Sequence, residues 1–192
     1  MRSSGFLAIK AHVDGDCGVT VNTEVCGAFD SGSIPDSRPM MKGEDYIGLA
    51  VTFCCHDGKG NILLSKRGPK ARDEHGRWDC GGGSVEYGDS AADTLRKEIS
   101  EEYLTDVIDA QFIGYRDVFR EKEGKVTHWL SLDFLVLVDP HKWGNGEPHK
   151  LDDVRWFPFH SLPEPMHSQW PKFAEKYADT LSEKLLTVRG GQ

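Results

Sequence analysis

Glu98, Glu101 and Glu102 stand at i, i+3 and i+4, a spacing that puts three carboxylates on neighbouring positions of one helix face. Unpaired, such a trio repels itself, so the clustering is costly unless a cation resides there. Hard oxygen donors select Mg2+, with Mn2+ as the alternative, and Mg2+ typically combines a few carboxylates with waters and substrate phosphates. Upstream lie three successive glycines, Gly81, Gly82 and Gly83. Backbone without Cβ atoms lets a ligand approach closely, which makes Gly82 and Gly83 candidate substrate-binding positions. Lys66, Arg67, Lys70 and Arg72 form a basic cluster just before this run. Lys66 and Arg67 are candidates for steering a polyphosphate, while ordinary loop solubility explains the cluster as well. Together these residues describe a metal meeting a phosphorylated ligand.

Such a site needs a strand, a loop and a helix in succession, and the hydrophobic pattern supplies them. Ile47, Leu49, Val51 and Phe53 alternate as in a strand. His56 to Asn61 reads as a hairpin connection, Ile62 to Lys66 as the returning strand, and Arg67 to Arg77 as a polar loop. A helix follows, with Asp89 or Ser90 as its cap and a capping-box-like spacing from Ser90 to Asp93. Ala92, Leu95 and Ile99 share its buried stripe, with Tyr103 beside them. Further strands are expected at Gln111–Phe119, Thr127–Val138 and Val154–Phe157, and a closing helix over Pro171 to Leu186. Sheet on both sides of one early and one late helix gives an α/β or α+β sandwich.

The chain has 192 residues, with 31 Asp+Glu against 23 Lys+Arg and a net charge of −8. An acidic balance disfavours nucleic acid and anionic membranes as partners. No apolar run is long enough for a membrane-spanning helix, and Met1 to Val13 lacks the apolar stretch of a signal peptide. Cys17, Cys26, Cys54, Cys55 and Cys80 give neither a disulfide framework nor a zinc motif, and Cys54 and Cys55 read as buried thiols. A reducing, cytoplasmic setting is the expectation. Residues 1–43 are rich in turn signals, with strand character only around Gly18 to Val25. They are expected to be a flexible arm or extra strands ahead of a domain over 44–192, and a homodimer by strand exchange stays open.

From Gly83 to Thr105 the sequence resembles the Nudix box, G-x5-E-x7-R-E-U-x-E-E-x-G-U, where U is a bulky aliphatic residue. Gly83, Glu98, Ile99, Glu101 and Glu102 match in register. Asp89 stands in place of Glu, Lys97 in place of Arg, and Leu104 and Thr105 in place of the final Gly and aliphatic residue. The resemblance, which extends over about Tyr46 to Leu186, implies an α/β/α sandwich with a mixed sheet. Gly81 occupies a position where many relatives have Pro, which is expected to loosen that loop.

The resemblance further implies a Mg2+-dependent hydrolase that cleaves a pyrophosphate bond in a nucleoside diphosphate linked to another group. Glu98 and Glu102 would hold the metal, with Glu101 a further ligand or outer partner. Lys97 would orient Glu98 through one charged hydrogen bond, without the planar fork of Arg. A box glutamate or a later carboxylate would act as general base; Glu147, in the loop Gly144 to Pro148, is the foremost later candidate, with Asp152 and Asp153 as rivals. Trp129 could stack on a base, although core packing is its default role. Markers of ADP-ribose, dinucleoside-polyphosphate and NADH relatives are missing, which leaves a nucleoside triphosphate of the MutT type as the leading substrate. ADP-ribose or another nucleoside diphosphate derivative is the runner-up, and a nucleotide-binding domain without turnover is the rival of a different class.

Overall fold

A computed structural model describes residues 39–122 and 124–186, together with two short strands near the N-terminus. The chain divides into two compact units, Met1–Pro39 and Met40–Gln192. In the first, β1 (His12–Asp14) and β2 (Gly18–Thr20) pair antiparallel, His12 opposite Thr20 and Asp14 opposite Gly18. The rest of the Gly18–Val25 expectation, and Cys17 and Cys26, lie outside the described residues.

The second unit runs β3 (Gly48–His56), β4 (Asn61–Arg67), β5 (Trp78–Asp79), β6 (Gly81–Ser84), α1 (Ala91–Tyr103), β7 (Val107–Lys122), β8 (Lys125–Val138), β9 (Leu151–Pro158), α2 (Trp170–Lys176) and α3 (Ala178–Leu186). The sheet is mixed. β3 runs parallel to β8, with Gly48 beside Trp129 and His56 beside Leu137. Along its other edge β3 pairs antiparallel with β6, then with the start of β4. β4 carries β9 and β5, and β7 pairs antiparallel with β8 at the far edge. The β3–β4 hairpin closes where Asp57 Oδ1 accepts the Lys59 and Asn61 N–H groups at 2.7 and 3.1 Å.

Alternation along these strands feeds two cores, one on each face of the sheet. Phe53, Cys55, Leu63, Val136 and Val138 meet Leu95, Ile99 and Tyr103 of α1. Cys54, Ile62, Leu64 and Leu135 meet Phe173, Leu181 and Leu185 of α2 and α3. Consecutive residues of β3 and β4 therefore point into opposite cores. The three-layer sandwich is the expected fold class.

Some details differ from expectation. β7 and β8 are longer than the sequence pattern suggested, and β7 carries register shifts near Val107 and at Phe112–Gly114 that break the alternation along it. The closing helix is two helices, interrupted at Tyr177, whose hydroxyl donates to the buried Asp133 at 2.8 Å. Gly81 does not loosen a loop. It pairs with Phe53, and a Cβ there would overlap the Phe53 ring and come within 2.5 Å of Glu102 Oε2. No helix among the described residues is long and apolar enough to cross a membrane.

Candidate active site

α1 begins where its sequence says it should. The Ser90 hydroxyl accepts the Asp93 N–H at 3.1 Å, satisfying one of the free donors of the first turn. Burial of Leu95, Ile99 and Tyr103 against the sheet fixes the rotation of the helix. That rotation turns Glu98 and Glu102 toward β6 and leaves Lys97 and Glu101 exposed. The glycines of β6 make the approach feasible. A methyl at Gly83 would overlap the Glu98 carboxylate, and the Gly82 N–H hydrogen-bonds to Glu102. The glycine run thus admits carboxylates against a backbone stripped of side chains.

The far end of α1 brings in a third carboxylate. Leu104, standing where the box has Gly, adopts a left-handed conformation at φ 52° and returns its N–H to Ser100 O. Gly144 and Gly146 then donate their N–H groups to Tyr103 O and Glu102 O at 2.8 and 3.0 Å, capping carbonyls the helix leaves open. This contact places Glu147 beside the acidic pair, with its carboxylate held by Lys150 Nζ at 2.6 Å.

Glu98, Glu102 and Glu147 line one cavity of about 550 Å³. Burial, then the charges of Glu101 and Glu147, push the Glu98 carboxyl above its ordinary range. Burial, then Glu98, Glu147 and Asp79, push Glu102 well up, against the opposing Gly82 N–H. Oε2 of Glu102 is buried with no hydrogen-bond partner. An unpartnered carboxylate oxygen among like charges is the signature of a place for a hard cation. Among the described residues no ready-made cage of three or more such ligands closes. An incomplete protein set fits Mg2+, which keeps waters and takes substrate phosphates.

The same cavity has a basic side. Arg67, Lys70, Arg72 and Arg120 line it. Asp73 accepts Arg67 Nη2 at 2.7 Å and Arg120 Nη1 at 2.9 Å, with Arg72 Nε at 3.5 Å. Burial would raise the Asp73 pKa, but Arg120, Arg72 and Arg67 together hold it below its usual value. Asp79 lies 3.6 Å from Arg67 Nη1 and 3.7 Å from His167 Nε2. Burial raises its carboxyl to about 7 despite the pull of Arg67 and Arg120. A buried network supports the remaining wall: Asp133 accepts Arg116 through two nitrogens at 2.6 and 3.1 Å, Ser131 at 2.7 Å and Tyr177. Trp129 also lines the cavity, packed on Gly43 and Gly48, with Arg72 over its ring at 6.0 Å.

Of the residues singled out by sequence, the cavity gathers Gly81, Gly82, Gly83, Glu98, Glu102, Glu147 and Trp129, with Arg67, Lys70 and Arg72 of the basic cluster. Lys66, on the opposite side of β4 from Arg67, does not line it; nor do Lys97, Glu101, Asp152 and Asp153. No hydrogen bond joins Lys97 to Glu98 among the described residues, and Lys97 acts on Glu98 through its charge alone. Sequence reasoning missed Asp73, Asp79, Arg116, Arg120, Asp133 and His167. Arg120, Asp133 and His167 carry no local motif; tertiary packing alone brings Arg120 to the loop residue Asp73, Asp133 to Arg116 and Tyr177, and His167 to Asp79.

Residues 47–178 match the family model described as NUDIX domain. The chain is 28% identical over 109 residues to the NAD-capped RNA hydrolase NudC of Pseudomonas putida (strain W619), covering 55% of this chain but 35% of that protein. It is 28% identical over 97 residues to the CTP pyrophosphohydrolase of Escherichia coli (strain K12), covering 49% of this chain and 70% of the relative. Among solved structures, a MutT NUDIX hydrolase from Burkholderia pseudomallei superposes with a TM-score of 0.60 at 24% identity, covering 68% of this chain and 97% of the other. The chain thus spans about a third of the first of these relatives and about two thirds of the second.

Proposed function

Since this chain belongs to the Nudix family, we propose that it is a Mg2+-dependent hydrolase that cleaves a pyrophosphate bond in a nucleotide, a nucleoside triphosphate being the leading substrate. The observation that carries this reading is the buried, unpartnered Oε2 of Glu102, set beside Glu98 and Glu147 in a cavity that also presents arginines. One wall suits a cation and another suits phosphate, as a metal–pyrophosphate complex requires. The CTP pyrophosphohydrolase of E. coli, by its name, cleaves such a bond in a nucleoside triphosphate.

Glu98 and Glu102 are the residues that would hold the cation. The chemistry it supplies when bound is charge neutralisation at phosphate oxygens and a more acidic water. Gly82 fixes Glu102 through its N–H, and Gly83 leaves room for Glu98. Glu147, oriented by Lys150 and by the loop that caps α1, is available to accept the proton of the attacking water. Glu98, with its raised pKa, is the other carboxylate suited to that role. Arg67 is positioned to hold phosphate oxygens. The exposed Lys97, without a hydrogen bond to Glu98, favours a second reading in which the cavity binds a nucleotide without turnover.

Mass-spectrometric product analysis with Mg2+ over nucleoside triphosphates, ADP-ribose, NADH and nucleotide sugars decides between the two. Cleavage products are expected from wild type and from Lys97→Arg, which should keep or raise turnover. Glu98→Gln and Glu102→Gln should each lose about 100-fold or more, the usual weight of a general acid–base group or a metal ligand. Unchanged turnover in both glutamine variants defeats the assignment, and binding without products across the panel establishes the second reading.

A further inference from the structure

The strands that wall the cavity have a second face. Arg116, Val118 and Arg120 of β7 line the cavity, as do Trp129 and Ser131 of β8. Strand alternation sends their neighbours the other way, onto the face that carries α1 farther along the sheet. The register fixes which residues share that face. Tyr115 lies opposite Leu132, Phe119 opposite His128 and Phe112 opposite Phe134, while Leu49 of β3 lies beside Leu130. Phe134 packs against the core under α1, so the face begins where that core ends.

Most of it is bare. α1 packs on β6 and β3, toward the other side of the sheet. Phe112, Tyr115, Phe119, Val126 and Ile47 are each more than half exposed, and Leu49 is exposed by more than a third. Half of six such side chains, at roughly 200 Å² apiece, presents roughly 600 Å² of largely apolar surface. The partly exposed Leu130 and Leu132 add to it. The largest apolar patch of an ordinary monomer is about 300–600 Å², and a standard interface buries about 800 Å² on each partner. The face thus matches the apolar centre of one side of a standard interface.

The edge of β7 offers a different contact, through its free N–H and C=O groups, but that route is obstructed. Lys176 Nζ donates to Tyr115 O and lies over the Tyr115 ring at 5.1 Å. Register shifts near Val107 and at Phe112–Gly114 break the line of the edge. The face is open where the edge is not.

Charge selects the occupant. The chain carries a net −8, so its surface at large repels a second copy. On this face the acid among the aromatics is Asp117, whose Oδ1 hydrogen-bonds to His128 Nε2 at 2.8 Å, and Phe119 stacks on the same imidazole at 4.3 Å. Lys125, at the end of the face, pairs with Glu44 at 3.4 Å. A strongly charged partner finds little here to pair with, whereas an apolar, locally neutral face is complementary to itself. A two-fold contact requires that property.

We propose that this face of β7, β8 and the start of β3 is a homodimer interface, in which two copies pack sheet against sheet about a two-fold axis. The cavity residues of these strands lie on the reverse face, clear of the contact. The inference is independent of the hydrolase reading, and its test needs no substrate.

Sedimentation equilibrium of the full-length protein at about 50 µM should give twice the chain mass. Phe112→Glu and Phe119→Glu each bring a carboxylate into the contact and should weaken association about 30-fold or more. Tyr87→Glu, at a fully exposed aromatic before α1, should leave association unchanged. A monomeric wild type, or a dimer that survives both phenylalanine variants, overturns the proposal. Hydroxyl-radical footprinting of wild type tests it without a substitution. Phe112, Tyr115 and Phe119 should gain reactivity on dilution, with Tyr87 reactive throughout; equal reactivity at both concentrations overturns the interface. A chain beginning at Met40 should dimerise as the full chain does. Dimerisation of the shortened chain alone overturns the second copy as occupant and assigns the face to residues 1–39. A monomer whose aromatics react at every concentration overturns it in favour of a different protein.

Discussion

Asp79 and His167 illustrate how burial sets the state of individual residues here. Burial raises the Asp79 carboxyl to about 7, so native Asp79 keeps a proton that the unfolded chain has released. Its stabilising contribution is present below its ordinary pKa of about 4 and is lost as pH rises through about 7. His167 runs the other way. Its pKa falls to about 4, so its contribution is present above its ordinary value of about 6.5 and is lost as pH falls through about 4. The two oppose each other across the acidic range. Asp79→Asn removes the first effect alone, so the stability it adds over wild type should be larger at about pH 8 than at about pH 5, by roughly 1 kcal/mol. Urea denaturation of both proteins at the two pH values checks this, and a larger gain on the acidic side contradicts it.

At the scale of elements, the exit of α1 is the decisive joint. It ends on Leu104 at φ 52°, a conformation that costs a side-chain-bearing residue about 1–2 kcal/mol. Against that cost, the Leu104 side chain packs on Gly144 and Gly146 of the loop that delivers Glu147. Relief of backbone strain outweighs the lost contact of this exposed side chain, so Leu104→Gly should stabilise the protein by roughly 0.5 kcal/mol, a rise of about 2 °C in Tm. Differential scanning calorimetry reads the change, and a lower Tm would show that the packing matters more. Gly146 tolerates no such exchange, because a Cβ there would overlap Glu101 O. The departure from the box at Leu104 is thus accommodated by a strained helix cap.

For the whole molecule, the site belongs to the unit Met40–Gln192. Its early residues are tied in: Lys42 Nζ reaches Glu86 at 2.5 Å, and Gly43 O accepts the His128 N–H at 2.7 Å. Both core clusters and the 550 Å³ cavity are built from this unit. A chain beginning at Met40 should therefore melt cooperatively within about 3 °C of the full chain and match it in the Mg2+-dependent turnover proposed above. A broad transition or lost turnover would assign residues 1–39 a part in the fold or the site.

Local chemistry by itself determined the acidic half of the site. Ser90 starts α1, the stripe of Leu95 and Ile99 orients it, and the spacing to Gly83 brings Glu98 and Glu102 against bare backbone; each is a short-range rule of helix geometry and glycine. The sandwich was legible for a similar reason, since strand alternation and helical periodicity each declare which face is buried. Only the tertiary structure decided which of the clustered charges meet. Glu101, adjacent to Glu102, turns to solvent, and Lys66, adjacent to Arg67, faces away from the cavity. Arg120 and His167, remote in sequence, join Asp73 and Asp79 because β7 and the segment before α2 fold over the loop after β4. Charge acts through space rather than along the chain, so residue counts could register the acidic excess but could not locate the arginine pocket within it.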